Sequence, residues 1–267
     1  MKKLLLWYLS LLSLQIQAQV IHTTDNDTLY NQVDKNDLRQ GYWKTYYDNG
    51  SIKYEGYFKD NKPVGEFKRY FENKVIKSIM VFEDDGETAY TNIFYENGKL
   101  AAEGIYINQE KDGVWKYYSY YDEFLSIEEV YSMGIKNGKS TKFYKSGQIS
   151  ETLNWTEGHK NGEWIQYFTN GKYKIIGSYK DGKLHGKFVV YYDTGIPNVV
   201  GTYYENLRDG DWIIYDRKGK TDYKIEYNKG IAKNQKELDL REQEKLDQLM
   251  KNKGKFEDPD KTGNIIR

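Results

Sequence analysis

Between residues 41 and 230, apolar and polar residues alternate in short runs, many of which end on pairs such as Asn49-Gly50 or Asp181-Gly182. Alternation with period two predicts half-buried strands, because successive side chains of a strand point to opposite faces. The runs recur. Units start at 41, 65, 89, 113, 138, 162, 186 and 210, each step being 24 residues except one of 25. Seven starts are glycine and the remaining one is Ala89. Numbered from that residue, the sixth position is aromatic in all eight units: Tyr46, Tyr70, Phe94, Tyr118, Phe143, Tyr167, Tyr191 and Tyr215. The eighteenth is aromatic throughout as well, from Phe58 to Tyr227, once an inserted residue near Tyr120 is allowed for. The third is aromatic in six units, with Thr91 and Ser140 as exceptions.

Two turn signals divide each unit: glycine at position 10 in six units and at position 21 in four. Asn-Gly and Asp-Gly supply the positive φ of type I′ hairpin turns. The expected fold is therefore all-β, an elongated single antiparallel meander sheet of about eight 24-residue β-hairpin repeats, with a C-terminal helical tail. One unit cannot bury its own apolar face, so stability must come from stacking neighbours.

A two-residue loop at positions 9 and 10 makes facing positions sum to 19, so that 1 faces 18, 3 faces 16 and 7 faces 12. In that register the ring at 18 covers the glycine at 1. Trp43, Trp164 and Phe188 likewise cover Gly56, Gly177 and Gly201. Ser140 opposite Leu153 fits as a swapped pair, whereas Thr91 opposite Gly104 finds no explanation. Positions 1, 3, 7, 12 and 18 form an apolar face. Positions 4, 11, 13 and 15, mostly Lys, Ser, Glu or Asn, form a polar one. Equivalent rings of successive units stand two strands apart, about 9.6 Å, with a ring of the intervening strand between them.

The ends differ from the array. "MKKLLLWYLSLLSLQIQAQ" has Lys2 and Lys3, an apolar run from Leu4 to Leu14, and polar residues around Ala18, the layout of a cleaved secretory signal with Gln19 as the mature start. The expected organisation is a signal peptide at 1–18, a lead-in and half-repeat cap at 19–40, the array at 41–230, and a charged helical or disordered tail at 231–267. In the tail Leu238, Leu246, Leu249 and Met250 have loosely helical spacing. Export places the protein outside the cytoplasm, secreted or in the periplasm and cell envelope.

Composition removes function classes. Lys+Arg and Asp+Glu both number 40, so no net field draws the chain to nucleic acid. There is no cysteine, hence no thiolate metal site. His22, His159 and His185 are too dispersed for a metal centre, and Asp84-Asp85 and Glu128-Glu129 are sequence neighbours without a facing partner. No nucleophile elbow or phosphate loop occurs. The expectation is a non-enzyme without cofactor or metal. The candidate binding residues are the sixth-position stripe from Tyr46 to Tyr215, on the polar face near Lys44, Lys68 and Lys116. Against that placement, a bulge between positions 3 and 6 would turn those rings back into the core.

The segment "YKDGKLHGKFVVYYDTG" and its seven relatives, with G-x-W-x-x-Y-Y-x-x-G at fixed phase, resemble the MORN-repeat variant family, from Gly41 to Gly230 and the half unit before it. Bacterial members of this kind are catalogued as YwqK-like antitoxin components of toxin–antitoxin systems. The resemblance implies a sheet of hairpins, a non-catalytic binding role and no catalytic residue, since the motif residues are structural. Ordinary MORN repeats are associated with membrane-lipid contact and with scaffolding between proteins. The leading expectation is an exported scaffold for a protein partner. Cell-surface glycan and peripheral lipid contact are the competing ones, and the sequence sets no oligomeric state.

Overall fold

The computed structural model describes residues 29–251. The expected signal at 1–18, Gln19 and the tail beyond 251 lie outside the described residues. The chain divides into two compact units: residues up to Leu100 with Tyr106–Gln109, and Ala101–Ile105 with Glu110 onward.

The first unit holds β1 (Gln32–Val33), β2 (Arg39–Tyr46), β3 (Ile52–Lys59), β4 (Lys62–Tyr70), β5 (Ile76–Phe82) and β6 (Thr88–Phe94). β7 (Leu100–Ile107) contributes to both units. The second begins with β8 (Glu110–Tyr118), β9 (Leu125–Ser132), β10 (Ile135–Lys136), β11 (Gly138–Phe143), β12 (Ile149–Thr156), β13 (His159–Tyr167) and β14 (Tyr173–Lys180). It continues through β15 (Lys183–Leu184), β16 (Gly186–Tyr191), β17 (Pro197–Tyr204), β18 (Leu207–Tyr215), β19 (Thr221–Asn228) and β20 (Ile231–Ala232) to α1 (Gln235–Lys251). All described pairings are antiparallel and join strands next to each other along the chain, save where a two-residue piece intervenes. The fold is the all-β meander that the alternation predicts, with one C-terminal helix.

The two turn types are not alike. Between repeats most loops have two residues, both left-handed: Asp60-Asn61 at φ 52 and 67, Asp181-Gly182 at 50 and 81, Glu205-Asn206 at 50 and 70. These are type I′ turns, and Asn, Asp and Glu make them as well as glycine does. The β5–β6 loop is longer, with Glu83 N–H donating to Thr88 O (2.9 Å) and only Gly86 left-handed. Within repeats the expected two-residue turn is replaced by a three-residue loop, or by a four-residue one in the lengthened repeat, where Ser119 N–H donates to Phe124 O (2.9 Å). Tyr47 N–H donates to Ser51 O (2.8 Å), Gly50 N–H donates to Tyr47 O (2.9 Å), and of these loop residues only Gly50 has positive φ. That is a type I turn followed by a left-handed residue. The predicted register therefore holds for Gly41↔Phe58, Trp43↔Gly56 and Thr45↔Tyr54, then slips by one so that Tyr46 faces Ile52.

Glycine at position 1 has a different cause from the one expected. Gly56 pairs with Phe67 but Tyr57 with Val64, so Gly65 and Glu66 bulge out of the β3–β4 ladder. Gly65 takes φ 64 there, and a Cβ added to it would meet nothing within 4 Å. The same offset of two surrounds Gly162 and Gly210, at φ 97 and 67. Between β5 and β6 the ladder runs unbroken from Ser78↔Ile93 to Phe82↔Ala89, and there the start residue is alanine. Backbone conformation, not ring cover, selects this glycine.

Ring cover does operate at position 16, but the nearest ring comes from the following repeat; at Gly177 the expected Trp164 covers it as well, 3.3 Å from an added Cβ. A Cβ on Gly56 would stand 2.2 Å from Phe67, on Gly104 2.4 Å from Trp115, on Gly177 3.1 Å from Phe188, and on Gly201 2.3 Å from Trp212. Gly104 thus has its cover in Trp115, whatever stands at position 91. Leaning across a hairpin in this way brings equivalent rings into direct contact, not 9.6 Å apart: Trp164 to Phe188 is 6.3 Å and Phe188 to Trp212 is 5.9 Å between centroids. Tyr203 packs edge-on against both Phe188 and Trp212. In the first unit Trp43, Phe58, Phe67 and Phe82 form the corresponding series, at 5.6–6.1 Å. On this face of each unit the core is a layer of rings burying each other.

The expected polar face is polar only in part. In the second unit positions 4 and 15 carry the facing pairs Ile165↔Ile176 and Val189↔Val200, and Ile165 and Val189 are buried. Helix α1 buries no residue and leaves Leu240, Leu246, Leu249 and Met250 exposed. It meets the sheet through Arg241, which bonds Asp222 and lies 4.3 Å from the Tyr223 ring centre.

Candidate functional site

The stripe at position 6 is positioned by the slip after position 5. Tyr70 stays on the side of Lys68, opposite Phe67, and its hydroxyl donates to Glu55 Oε1 (2.6 Å) across β3–β4. Tyr42 donates to the other oxygen of the same carboxylate (2.5 Å), and Lys44 Nζ stands 3.7 Å away. Burial raises the pKa of Glu55, but the two hydroxyls, Lys44 and Lys68 outweigh it and leave the group below its ordinary value. Tyr42 and Tyr70 are both pushed up, first by burial and then by their bonds to Glu55.

The second unit repeats the device once. Tyr118 donates to Glu103 Oε1 (2.8 Å), with Lys116 Nζ at 3.2 Å. The bond to Tyr118 holds Glu103 below the usual carboxylate range, while burial and Glu103 push Tyr118 up to about 12. Further along, Thr152 replaces the acid as partner of Tyr167. Tyr173 lies between Tyr167 and Tyr191, its ring 5.5 Å from one and 6.2 Å from the other. Of the eight stripe residues Tyr46 is exposed; Tyr70, Phe94, Tyr118, Phe143, Tyr167, Tyr191 and Tyr215 are half-buried.

More open surface lies at positions 2 and 17, which share this face. In the first unit Tyr57, Val81 and Tyr90 are 53%, 47% and 53% exposed. Tyr57 stacks obliquely on Tyr42 at 5.0 Å, and Val81 faces Tyr90 directly across β5–β6. In the second unit Val114 faces Val130, but the later equivalents are polar: Lys139↔Asn154, Glu163↔Ser178, Lys187↔Thr202 and Asp211↔Glu226. At positions 2 and 17 the first unit thus presents tyrosines where most of the second does not, the exposed Tyr121, Tyr173 and Tyr204 of the second unit standing at other positions.

Two regularities escaped sequence reasoning. Position 7 tyrosines tie one repeat to the next: Tyr47, Tyr144 and Tyr192 donate to the carbonyls of Tyr70, Tyr167 and Tyr215, at 2.8, 2.6 and 2.8 Å. A cation at position 23 caps the eighteenth ring of the following unit: Arg39 over Phe58, Lys111 over Tyr131, Lys136 over Trp155, Lys160 over Tyr179 and Arg208 over Tyr227. The signal was a cation at a constant offset of 19 residues before the ring, or 20 in the lengthened unit. Each such contact contributes about 0.5–1 kcal/mol when exposed.

The acidic pairs and histidines do not converge. Glu129 is taken by the Tyr131 hydroxyl and Lys136, His159 contacts Glu157 O, and His185 packs against Tyr204. Among the described residues no three His, Asp or Glu side chains cluster as metal ligands, and no helix is long and apolar enough to cross a membrane.

The sequence matches the MORN repeat variant family over residues 39–60, 63–84, 92–108 and 160–181. No curated protein matches. Similar solved structures include the crystal structures of TcdB2-TccC3-TEV, 13% identical with a TM-score of 0.20, and of TcdB2-TccC3-Cdc42, 10% identical with a TM-score of 0.19. They cover 69% and 68% of this chain, which spans 11% and 13% of theirs. Over the matched residues, in both units, the chain is similar to MORN-variant repeats, and there it is built of β-hairpins.

Proposed function

We propose that this chain is an exported, non-catalytic scaffold that binds a protein partner across the tyrosine-rich face of its first unit. One observation carries this: Tyr57, Val81 and Tyr90 stand half exposed on paired strands, where the later second-unit equivalents are Lys, Glu, Asp, Asn, Ser and Thr. Tyrosines on a fixed backbone offer apolar area and a hydroxyl at little entropic cost, which suits a protein surface. Tyr46 extends the face toward the within-unit loop. Tyr70 holds Glu55 in place as an oriented acceptor. A protein toxin would be one partner of this class, which is the antitoxin-like form of the function.

The test places a photo-crosslinking phenylalanine analogue at Tyr57 or Tyr90 of the full chain in the producing cell, with Glu163 and Lys187 as reference positions. A discrete protein adduct from the first pair and none from the second is the expected result, on a chain whose mature N-terminus is Gln19 in the envelope or secreted fraction. Absence of adducts at 57 and 90, with binding to a glycan array or to liposomes, would replace the protein partner by those ligands.

A further inference from the structure

Two asparagine side chains stand where a further strand would pair. At the outer edge of β2, β1 accounts for Arg39 and Gln40 and then ends. Asn31 turns away there at φ 60, a left-handed conformation that asparagine tolerates. Its N–H still donates to Tyr42 O (2.9 Å). Its side-chain amide then accepts from Lys44 N–H (2.8 Å) and donates to Lys44 O (2.9 Å), as an antiparallel partner residue would. At the outer edge of β19, β20 accounts for Tyr227 and Asn228, and Lys233 N–H reaches Glu226 O (2.7 Å). The Asn234 amide donates to Lys224 O (3.0 Å) and accepts from Glu226 N–H (3.3 Å), the spacing a parallel neighbour would use.

An amide side chain carries the donor and acceptor of a peptide group but cannot be extended. Unpaired edge N–H and C=O groups are templates for strands of another chain, and twenty short strands rich in Tyr, Ile and Val make that hazard acute. We infer that Asn31 and Asn234 are edge locks: each consumes the backbone groups on which a strand of a second copy would nucleate, so the sheet does not grow by strand addition.

Sedimentation velocity and amide hydrogen exchange on the full chain test this. The wild type is expected to sediment independently of concentration, with Lys44 and Glu226 amides protected. Asn31→Ala combined with Asn234→Ala is expected to lose that protection and to associate about tenfold or more tightly. Asn154→Ala, which removes a bond to Glu163 O inside the sheet (3.2 Å), is expected to do neither. Should the double variant fail to fold, Asn31→Asp serves alone, since it keeps the acceptor for Lys44 N–H and frees only the carbonyl. An edge variant that exchanges and sediments like the wild type, or a wild type already associating at the same concentrations, overturns the inference.

Discussion

A Cβ built on Gly104 would stand 2.4 Å from Cδ2 of Trp115, so the indole occupies the place a side chain would take. The ring is fully buried, and its Nε1–H donates to Ile105 O at 3.0 Å, one residue beyond the glycine. Trp212 repeats the arrangement on Gly201, with Nε1–H donating to Thr202 O at 3.1 Å. Glycine and indole form a socket and plug between successive repeats. Gly201→Ala should cost roughly 1–3 kcal/mol through overpacking, and Trp212→Ala roughly 3–5 kcal/mol. The double variant should cost less than their sum, because without the ring the methyl group has room. Urea denaturation of the four proteins in the cycle measures this; strict additivity would mean that ring and glycine are not coupled.

The glycines at position 1 should respond in the opposite chemical sense. A methyl group on Gly65 enters open space, so only the left-handed backbone at φ 64 resists it. Gly65→Ala should therefore cost about 1–2 kcal/mol, and Gly65→Asn less, because asparagine tolerates that conformation. At residue 89, where the ladder is unbroken and the alanine side chain is buried, the order of Ala and Asn should reverse, Ala being the better of the two. Equal rankings at the two positions would show that the bulge does not set the residue.

Why these glycines were misjudged from sequence is itself physical. The period, the hairpin phase and facing pairs such as Gly41↔Phe58 and Trp43↔Gly56 were legible, since alternation and turn spacing fix them. Asn49-Gly50 was ambiguous. The same dipeptide serves a two-residue I′ turn or the end of a three-residue type I loop, and the difference is one residue of register beyond Thr45. Bulges leave no residue signal except the glycine, which a cross-strand ring explains equally well on paper. Direction of lean decides which ring covers Gly56, and lean is a property of the twisted sheet. The exposed surface at Tyr57 and Tyr90 was hidden because attention to the invariantly aromatic sixth position favours packing residues. The less regular positions 2 and 17 are the ones left open to solvent.

Position 7 gives a third expectation. Tyr192→Phe removes only the hydroxyl that reaches Tyr215 O, and should cost about 0.5–1.5 kcal/mol. Phe71 and Phe168 occupy this position naturally. Phe168→Tyr should therefore be tolerated, and it gains stability if its hydroxyl reaches the carbonyl of Tyr191. Combining Tyr47→Phe, Tyr144→Phe and Tyr192→Phe should lower the denaturation midpoint without changing m, because no surface is newly exposed.

The Tyr118–Glu103 pair predicts a specific pH dependence. Tyr118 is raised to about 12 by burial and then by Glu103, whereas an unfolded tyrosine ionises near 10. Its contribution is fully present below about 10, and declines between about 10 and 12 as the unfolded chain binds fewer protons than the folded one. Glu103 is depressed, first by the hydroxyl of Tyr118, so its contribution is present above the ordinary carboxylate value and disappears as pH falls through the lower folded value. Tyr118→Phe should lower stability at neutral pH, flatten the alkaline decline and remove one late-ionising tyrosine from the tyrosinate absorbance titration. Glu103→Gln separates the two causes. It removes the charge but keeps a hydrogen-bonding oxygen, so Tyr118 should ionise earlier, yet still above a free tyrosine because burial persists. A Glu103→Gln titration superimposable on the wild type would mean that burial alone holds the proton, and that the pair is an accident of packing.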